Sequence, residues 1–179
     1  MTAYLKCIMP SCLFRDDVRS ESTECEICNS LLDVQYVGGD ASSYKELFEL
    51  RKMQPQSIFD KSGVWRFREL LNFSGNTPLE QRLVSLDGKE GQTRPYFLSE
   101  VARYVGMNND CFYLQFEGDN PTGSFKDNGM AAAFTHAKLL GKTQVVCAST
   151  GNTSASMESF AYNDFNIMSA TIFIGSGKI

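Results

Sequence analysis

From about residue 94 the chain settles into an alternation of short apolar runs and stretches with helical spacing. Residues 111–116, 144–148 and 169–174 carry the apolar, β-branched and aromatic residues of strands. Residues 124–140 and 154–163 repeat apolar positions at intervals of three and four, which predicts helices. Strands alternating with helices predict an α/β fold with a parallel sheet covered on both faces. The chain stops at residues 175–179, directly after the last strand. A sheet without its next covering helix reads as an incomplete domain, so these residues are expected to be one part of a longer protein.

The first 75 residues follow another pattern. Residues 1–36 are polar, hold two close cysteine pairs, and end in an alternating strand-like run at 31–36. Residues 37–75 read as a helical connector. Tyr44 to Met53 has helical spacing with Tyr44, Leu47, Phe48 and Leu50 available for burial, a second apolar and charged stretch covers 64–71, and Gly75-Asn76-Thr77-Pro78-Leu79 reads as a turn. The expected division is a small module at 1–36, the connector at 37–75, and an α/β portion at 76–179.

Composition narrows the classes. The 179 residues are 42% hydrophobic and 12% aromatic, as in a folded globular chain. A formal net charge of −4 and an acidic pI of about 5.1, with no basic run, speak against a nucleic-acid surface. No apolar run approaches the roughly 20 residues that cross a bilayer, and the first residues lack the pattern of a secretory signal. The expectation is a soluble, cytoplasmic protein with no membrane or nucleic-acid partner.

Cys7 and Cys12 enclose four residues, Cys25 and Cys28 enclose two, and twelve separate the pairs. Two close pairs at such a distance suit a four-thiolate, tetrahedral structural zinc site, which would stabilise a module too small for its own core. A ribbon that folds without metal, or redox-active thiols, are the alternatives. Four protein ligands leave no open position, which speaks against a catalytic metal. Cys111 and Cys147 lie in apolar, strand-like surroundings and read as ordinary core thiols.

Two loops carry candidate chemistry. In Gly118-Asp119-Asn120-Pro121-Thr122-Gly123-Ser124-Phe125-Lys126-Asp127, Ser124 and Asp127 have capping-box spacing, which starts a helix and puts Lys126 in its first turn. Met130, Ala133 and Ala137 continue the stripe of Lys126, so the lysine is expected to face inward on small apolar residues. Desolvation and the positive helix end would both favour its neutral amine, the form that condenses with an aldehyde. A solvated surface lysine is the plainer alternative. The second loop, Ser149-Thr150-Gly151-Asn152-Thr153-Ser154, joins a strand to a helix. It directs backbone N–H groups and small hydroxyls at one spot, suiting a carboxylate or phosphate. Helix capping by the same hydroxyls is equally open. His136, the only histidine, lies nearly three turns beyond Lys126 and reads as a packing or surface residue.

Together the two loops resemble the signature of the threonine synthase family, in the tryptophan-synthase-β-like group (fold type II) of pyridoxal phosphate (PLP) enzymes. Trp65-Arg66-Phe67-Arg68-Glu69-Leu70-Leu71 and Gly75-Asn76-Thr77-Pro78-Leu79 resemble the family's upstream segments in the same order, and some members carry a similar zinc-ribbon-like N-terminus. The resemblance implies an incomplete fold type II domain preceded by such a module. It implies PLP on Lys126, with Asn152 on the cofactor's 3′-oxygen and Phe125 beside its ring. Ser149, Thr150, Asn152 and Thr153 would hold the substrate carboxylate, and Lys178 would lie near the substrate phosphate. The implied substrate is a small amino-acid phosphate: O-phosphohomoserine and water would become threonine and phosphate. A homodimer would follow by analogy. Asn128 stands where the family often has arginine, and the acidic-glycine lead-in before Asn76 is missing. The family's phosphate-cradling glycine-rich loop and pyridine-nitrogen partner have no counterpart here, so the chain alone is expected to lack full activity. Other enzymes of the group, such as cysteate synthase or threonine dehydratase, and a non-catalytic zinc-ribbon module with a degenerate tail, are the competing readings.

Overall fold

The computed structural model describes residues 2–38, 41–71, 82–108, 112–163 and 168–177. Cys111, Gly75–Leu79 and Lys178 lie outside these residues.

The N-terminal residues form an antiparallel sheet ordered β2-β1-β3, from β1 (Thr2–Cys7), β2 (Arg15–Asp17) and β3 (Leu32–Val37). Leu5 opposes both Asp16 and Val34, and Cys7 opposes Leu32, so β1 delivers the first cysteine to the end of the sheet. Among the described residues Leu5, Cys7, Val18 and Cys25 are the buried hydrophobics of this module, a core far too small to hold three strands alone.

α1 (Lys45–Met53) begins one residue after the predicted start, and Ser57 caps the short α2 (Ile58–Lys61) by accepting the Asp60 amide at 3.3 Å. Trp65–Leu71 forms 3₁₀ turns. These turns are tied back by charge. Arg68 donates to the buried Asp60 at 2.9 Å, and Arg51 donates to Glu69 at 2.7 Å and lies 3.5 Å from Asp60. Burial pushes both carboxyls up, but the arginine hydrogen bonds and charges outweigh it and hold Asp60 and Glu69 below their ordinary values. A lowered folded-state pKa stabilises above the ordinary carboxylate range near about 4 and ceases to as pH falls through the lowered value. The stability gap between wild type and Arg68→Ala, read as urea midpoints, should therefore be full at neutral pH and close on acidification. A gap independent of pH would rule the ion cluster out as its source.

The remainder is mixed α/β, with β4 (Pro95–Phe97), α3 (Ser99–Tyr104), β5 (Tyr113–Gln115), α4 (Lys126–Leu139), β6 (Gln144–Ala148), α5 (Asn152–Asn163) and β7 (Ser169–Phe173). β6 and β7 pair in parallel with α5 as their crossover, as the alternation predicted. Two expectations fail. β5 pairs antiparallel with β4 and does not join the parallel strands. The parallel sheet, a pair among the described residues, is not covered on both faces: Val146 and Phe173 are 63% and 61% exposed.

The core lies between α4, α5 and the 83–86 segment. Phe134 of α4 stacks on Phe160 of α5 at 5.7 Å, with Met157 and the fully buried Trp65 packed around them. The Trp65 indole donates to the Val84 carbonyl at 2.7 Å, and the Val84 amide donates to Thr135 of α4 at 2.9 Å. The stretch read as a connector thus contributes the largest side chain of this core. Among the described residues no helix is long and apolar enough to cross a membrane.

Candidate cofactor and metal sites

The four cysteines predicted as metal ligands converge. Cys7 sits at the end of β1, the Cys12 amide turns back onto the Met9 carbonyl, and the 25–28 turn closes through the Asn29 amide on the Cys25 carbonyl at 2.8 Å. Asn29 takes a positive φ of 54°, a left-handed position that Asn tolerates well. All four sulfurs lie within 4.8 Å of one another, with Cys7–Cys28 at 3.5 Å and Cys12–Cys25 at 3.6 Å. A tetrahedron with Zn–S bonds of about 2.3 Å has edges of about 3.8 Å, so the donor set fits zinc in both chemistry and size. Burial pushes the Cys7 thiol up to about 12, whereas the hydroxyl and amide of Ser30 pull Cys28 down to about 6. Four thiolates bunched this closely need a cation between them.

The lysine loop is pinned from outside before the helix begins. Asn120 is buried; its Oδ1 accepts the Gly91 amide at 2.8 Å, and its Nδ2 donates to the Glu117 carbonyl and carboxylate. Gly123 then turns the chain at φ 76°. The expected capping box does not form. Ser124 Oγ accepts the Lys126 amide at 3.2 Å, but the Asp127 carboxylate reaches past Ser124 to Thr122, accepting its amide at 2.8 Å and its hydroxyl at 2.6 Å.

The lysine is only partly enclosed. Lys126 is half-buried and its stripe runs through the exposed Ala133, while Asp127, Ala131 and Phe134 form the buried face. Of that stripe Met130 and Ala137 are half-buried and pack against the core, and only Ala133 is exposed. The Lys126 amine rests 4.8 Å from the centre of the Phe125 ring, which is itself 56% exposed. Asn128 Oδ1 is buried with no hydrogen-bond partner among the described residues, and a Cβ on Gly91 would meet it at 3.2 Å.

The second loop also departs slightly from expectation. α5 begins at Asn152, two residues before the predicted Ser154, so Asn152 and Thr153 occupy its first turn. Ser149 Oγ accepts the Gly151 amide at 3.2 Å, and Ser154 Oγ donates to the Gly151 carbonyl at 2.7 Å. Thr150 and Asn152 are exposed, and Ser149 and Thr153 half-buried. First-turn amides have no partner inside the helix, so this turn offers N–H donors beside a carboxamide and hydroxyls.

One contact joins the two loops. Ser156, one turn past Asn152, donates to Asp127, the residue after Lys126, at 2.6 Å. Farther along, Phe134 meets Phe160, so the two helices run side by side in the same direction and present their first turns at the same end. Sequence reasoning missed Asp127 and Thr122 as links; the only signal was the capping-box spacing, which fits either arrangement. His136 lies far from this end, lining a groove of about 710 Å³ between the β1–β3 sheet and α4 together with Leu5, Leu32, Tyr36 and Leu140.

Residues 86–175, which include both loops and their helices, match the family described as pyridoxal-phosphate dependent enzyme. The chain belongs to that family, whose cofactor is PLP. Among curated proteins it is similar to the threonine synthase of Methanosarcina acetivorans, 39% identical over 155 residues, covering 86% of this chain and 33% of the relative. The threonine synthase of Methanocaldococcus jannaschii is 37% identical over 155 residues, 87% of this chain and 34% of that protein. That of Mycobacterium bovis is 49% identical over 90 residues, 50% of this chain and 24% of that protein. The chain therefore spans about one third of the length of the archaeal relatives it matches.

Proposed function

We propose that these residues form the lysine-bearing part of a threonine synthase-like enzyme of fold type II, a PLP-dependent lyase that turns O-phosphohomoserine and water into threonine and phosphate. The observation that carries this reading is the Ser156–Asp127 hydrogen bond, because it sets the Lys126 and Asn152 loops at one end of two parallel helices inside the family-matched segment. The donor set suits the cofactor: a primary amine for the aldehyde, a carboxamide for the ring oxygen, and an exposed aromatic ring beside the amine.

PLP, when bound, supplies an electron sink for charge developing at the substrate's carbons. Lys126 holds the aldehyde carbon and moves protons at those carbons. Asn152 donates to the 3′-oxygen, and Phe125 packs beside the ring. Ser149, Thr150, Asn152 and Thr153 bind and orient the substrate carboxylate through hydroxyls and first-turn amides. Lys178 is assigned to the substrate phosphate on the resemblance alone. Cys7, Cys12, Cys25 and Cys28 hold a structural zinc ion that keeps the N-terminal module folded and takes no part in the chemistry.

The test is an absorbance titration of the purified chain with PLP. A band at about 410–420 nm, where lysine-bound PLP absorbs, is expected in wild type and absent in Lys126→Ala. A band that persists unchanged in the variant would sink the assignment of Lys126.

A further inference from the structure

Asp127 is fully buried although its neighbours Lys126 and Asn128 are not. A carboxylate removed from water is costly unless donors meet its oxygens. Here Oδ2 accepts the Thr122 amide at 2.8 Å, and Oδ1 accepts two hydroxyls, from Thr122 and Ser156, each at 2.6 Å. Its hydrogen-bond donors among the described residues are all neutral. Asp127 also lies in the first turn of α4, where the positive helix end favours a negative charge. The three donors belong to two segments: the loop that delivers Lys126, and the helix that begins with Asn152.

We propose that Asp127 is a positioning residue of the cofactor site, fixing through one shared oxygen the separation between the Lys126 amine and the Asn152 side chain. The inference rests on the reading of Lys126 as the aldehyde-binding lysine. The shared oxygen makes the device discriminating. Thr122 cannot shift along the loop without losing its two-point hold on Asp127, and α5 cannot slide along α4 without pulling the Ser156 hydroxyl off the same atom. Asp127→Asn keeps the volume and one oxygen that can still accept both hydroxyls, but its amide nitrogen stands where Oδ2 accepts the Thr122 amide, so the loop's backbone hold is lost. Ser156→Ala frees only the α5 arm. Thr122→Val frees the loop's hydroxyl arm and keeps its amide, whereas Thr122→Ser keeps both.

The full 179-residue chain is treated with PLP, the lysine adducts are fixed with borohydride, and adduct at Lys126 is measured by peptide mapping relative to adduct at the exposed Lys89. Urea midpoints are taken on the same proteins. Wild type should label Lys126 ahead of Lys89. Asp127→Asn, Ser156→Ala and Thr122→Val should each lower that ratio by about tenfold or more, the scale on which small misplacements act, while Thr122→Ser should stay close to wild type. If the ratio is unchanged while urea midpoints fall, Asp127 is only a brace between helices and the inference is overturned. If wild type shows no preference for Lys126, the reading of the lysine itself fails, a result separable from the first because it appears before any substitution. Should Asp127→Asn not fold, the two Thr122 variants decide the question, since that half-buried residue keeps its backbone bond in both.

Discussion

Stripping the metal from the four-cysteine cluster, or replacing Cys25 with serine, is expected to unfold the β1–β3 module while α4, α5 and the parallel strands stay folded. The expectation follows from how little else holds the module together. Apart from the cysteines, Leu5 and Val18 are its buried side chains, and a fully buried aliphatic contributes only about 1.5–3 kcal/mol. Zinc bound by four thiolates in small modules contributes about 10–16 kcal/mol at neutral pH, far above that sum. Ile8, Met9, Leu13 and Ile27 crown the cluster yet remain exposed, so they stabilise the module little. The check is one zinc per chain by elemental analysis, followed by amide exchange over Thr2–Val37 after chelation. Retention of slow exchange in β1 without metal would show that the ribbon folds on its own. Lys142 of the main body pairs with Glu21 of the module at 2.6 Å on an exposed surface, worth about 0–1 kcal/mol, so this ion pair does little to couple their unfolding.

How far these residues disclose themselves in sequence depends on whether the information is local. The β6-α5-β7 unit was legible because each element carries its own period, and the two loops were legible through residues adjacent in the chain. The cysteine spacing predicted a convergence that the sulfur distances match. Where the answer lay in a distant partner, local pattern was insufficient. The most deeply buried face of α4 escapes the stripe of Met130, Ala133 and Ala137, because it is set by Phe134 meeting Phe160, 26 positions away. Asp127 was read as a helix cap because a cap and a bridge to Ser156 demand the same residue type at the same spacing. β5 was placed among parallel strands because nothing in Tyr113–Gln115 names Pro95–Phe97 as its partner. Glu90 gave no signal at all; a lone acid in a glycine-bearing polar turn reads as surface.

That silent residue carries the second large expected effect. Glu90 is fully buried, and its carboxylate accepts the hydroxyls of Ser62 and Ser85 and the Leu86 amide, the last at 3.0 Å. The backbones it joins are in close contact: the Gly63 amide donates to the Glu90 carbonyl at 2.8 Å, and a Cβ on Gly63 would overlap the Gly91 carbonyl oxygen. Glu90→Ala removes the buried carboxylate to which two hydroxyls and an amide donate, a loss of about 3–5 kcal/mol by analogy with broken buried networks. Glu90→Gln, which keeps the shape and one oxygen, should lose distinctly less, and Lys89→Ala, at an exposed side chain on the same turn, should lose almost nothing. The consequence reaches the lysine loop, because the next residue, Gly91, donates to Asn120 and so anchors the segment that carries Lys126. Urea midpoints of the three variants give the ranking directly. A Glu90→Ala protein within about 1 kcal/mol of wild type would mean that water or relaxation satisfies the orphaned groups, and that the turn holds the lysine loop through Gly63 and Gly91 backbone contact alone.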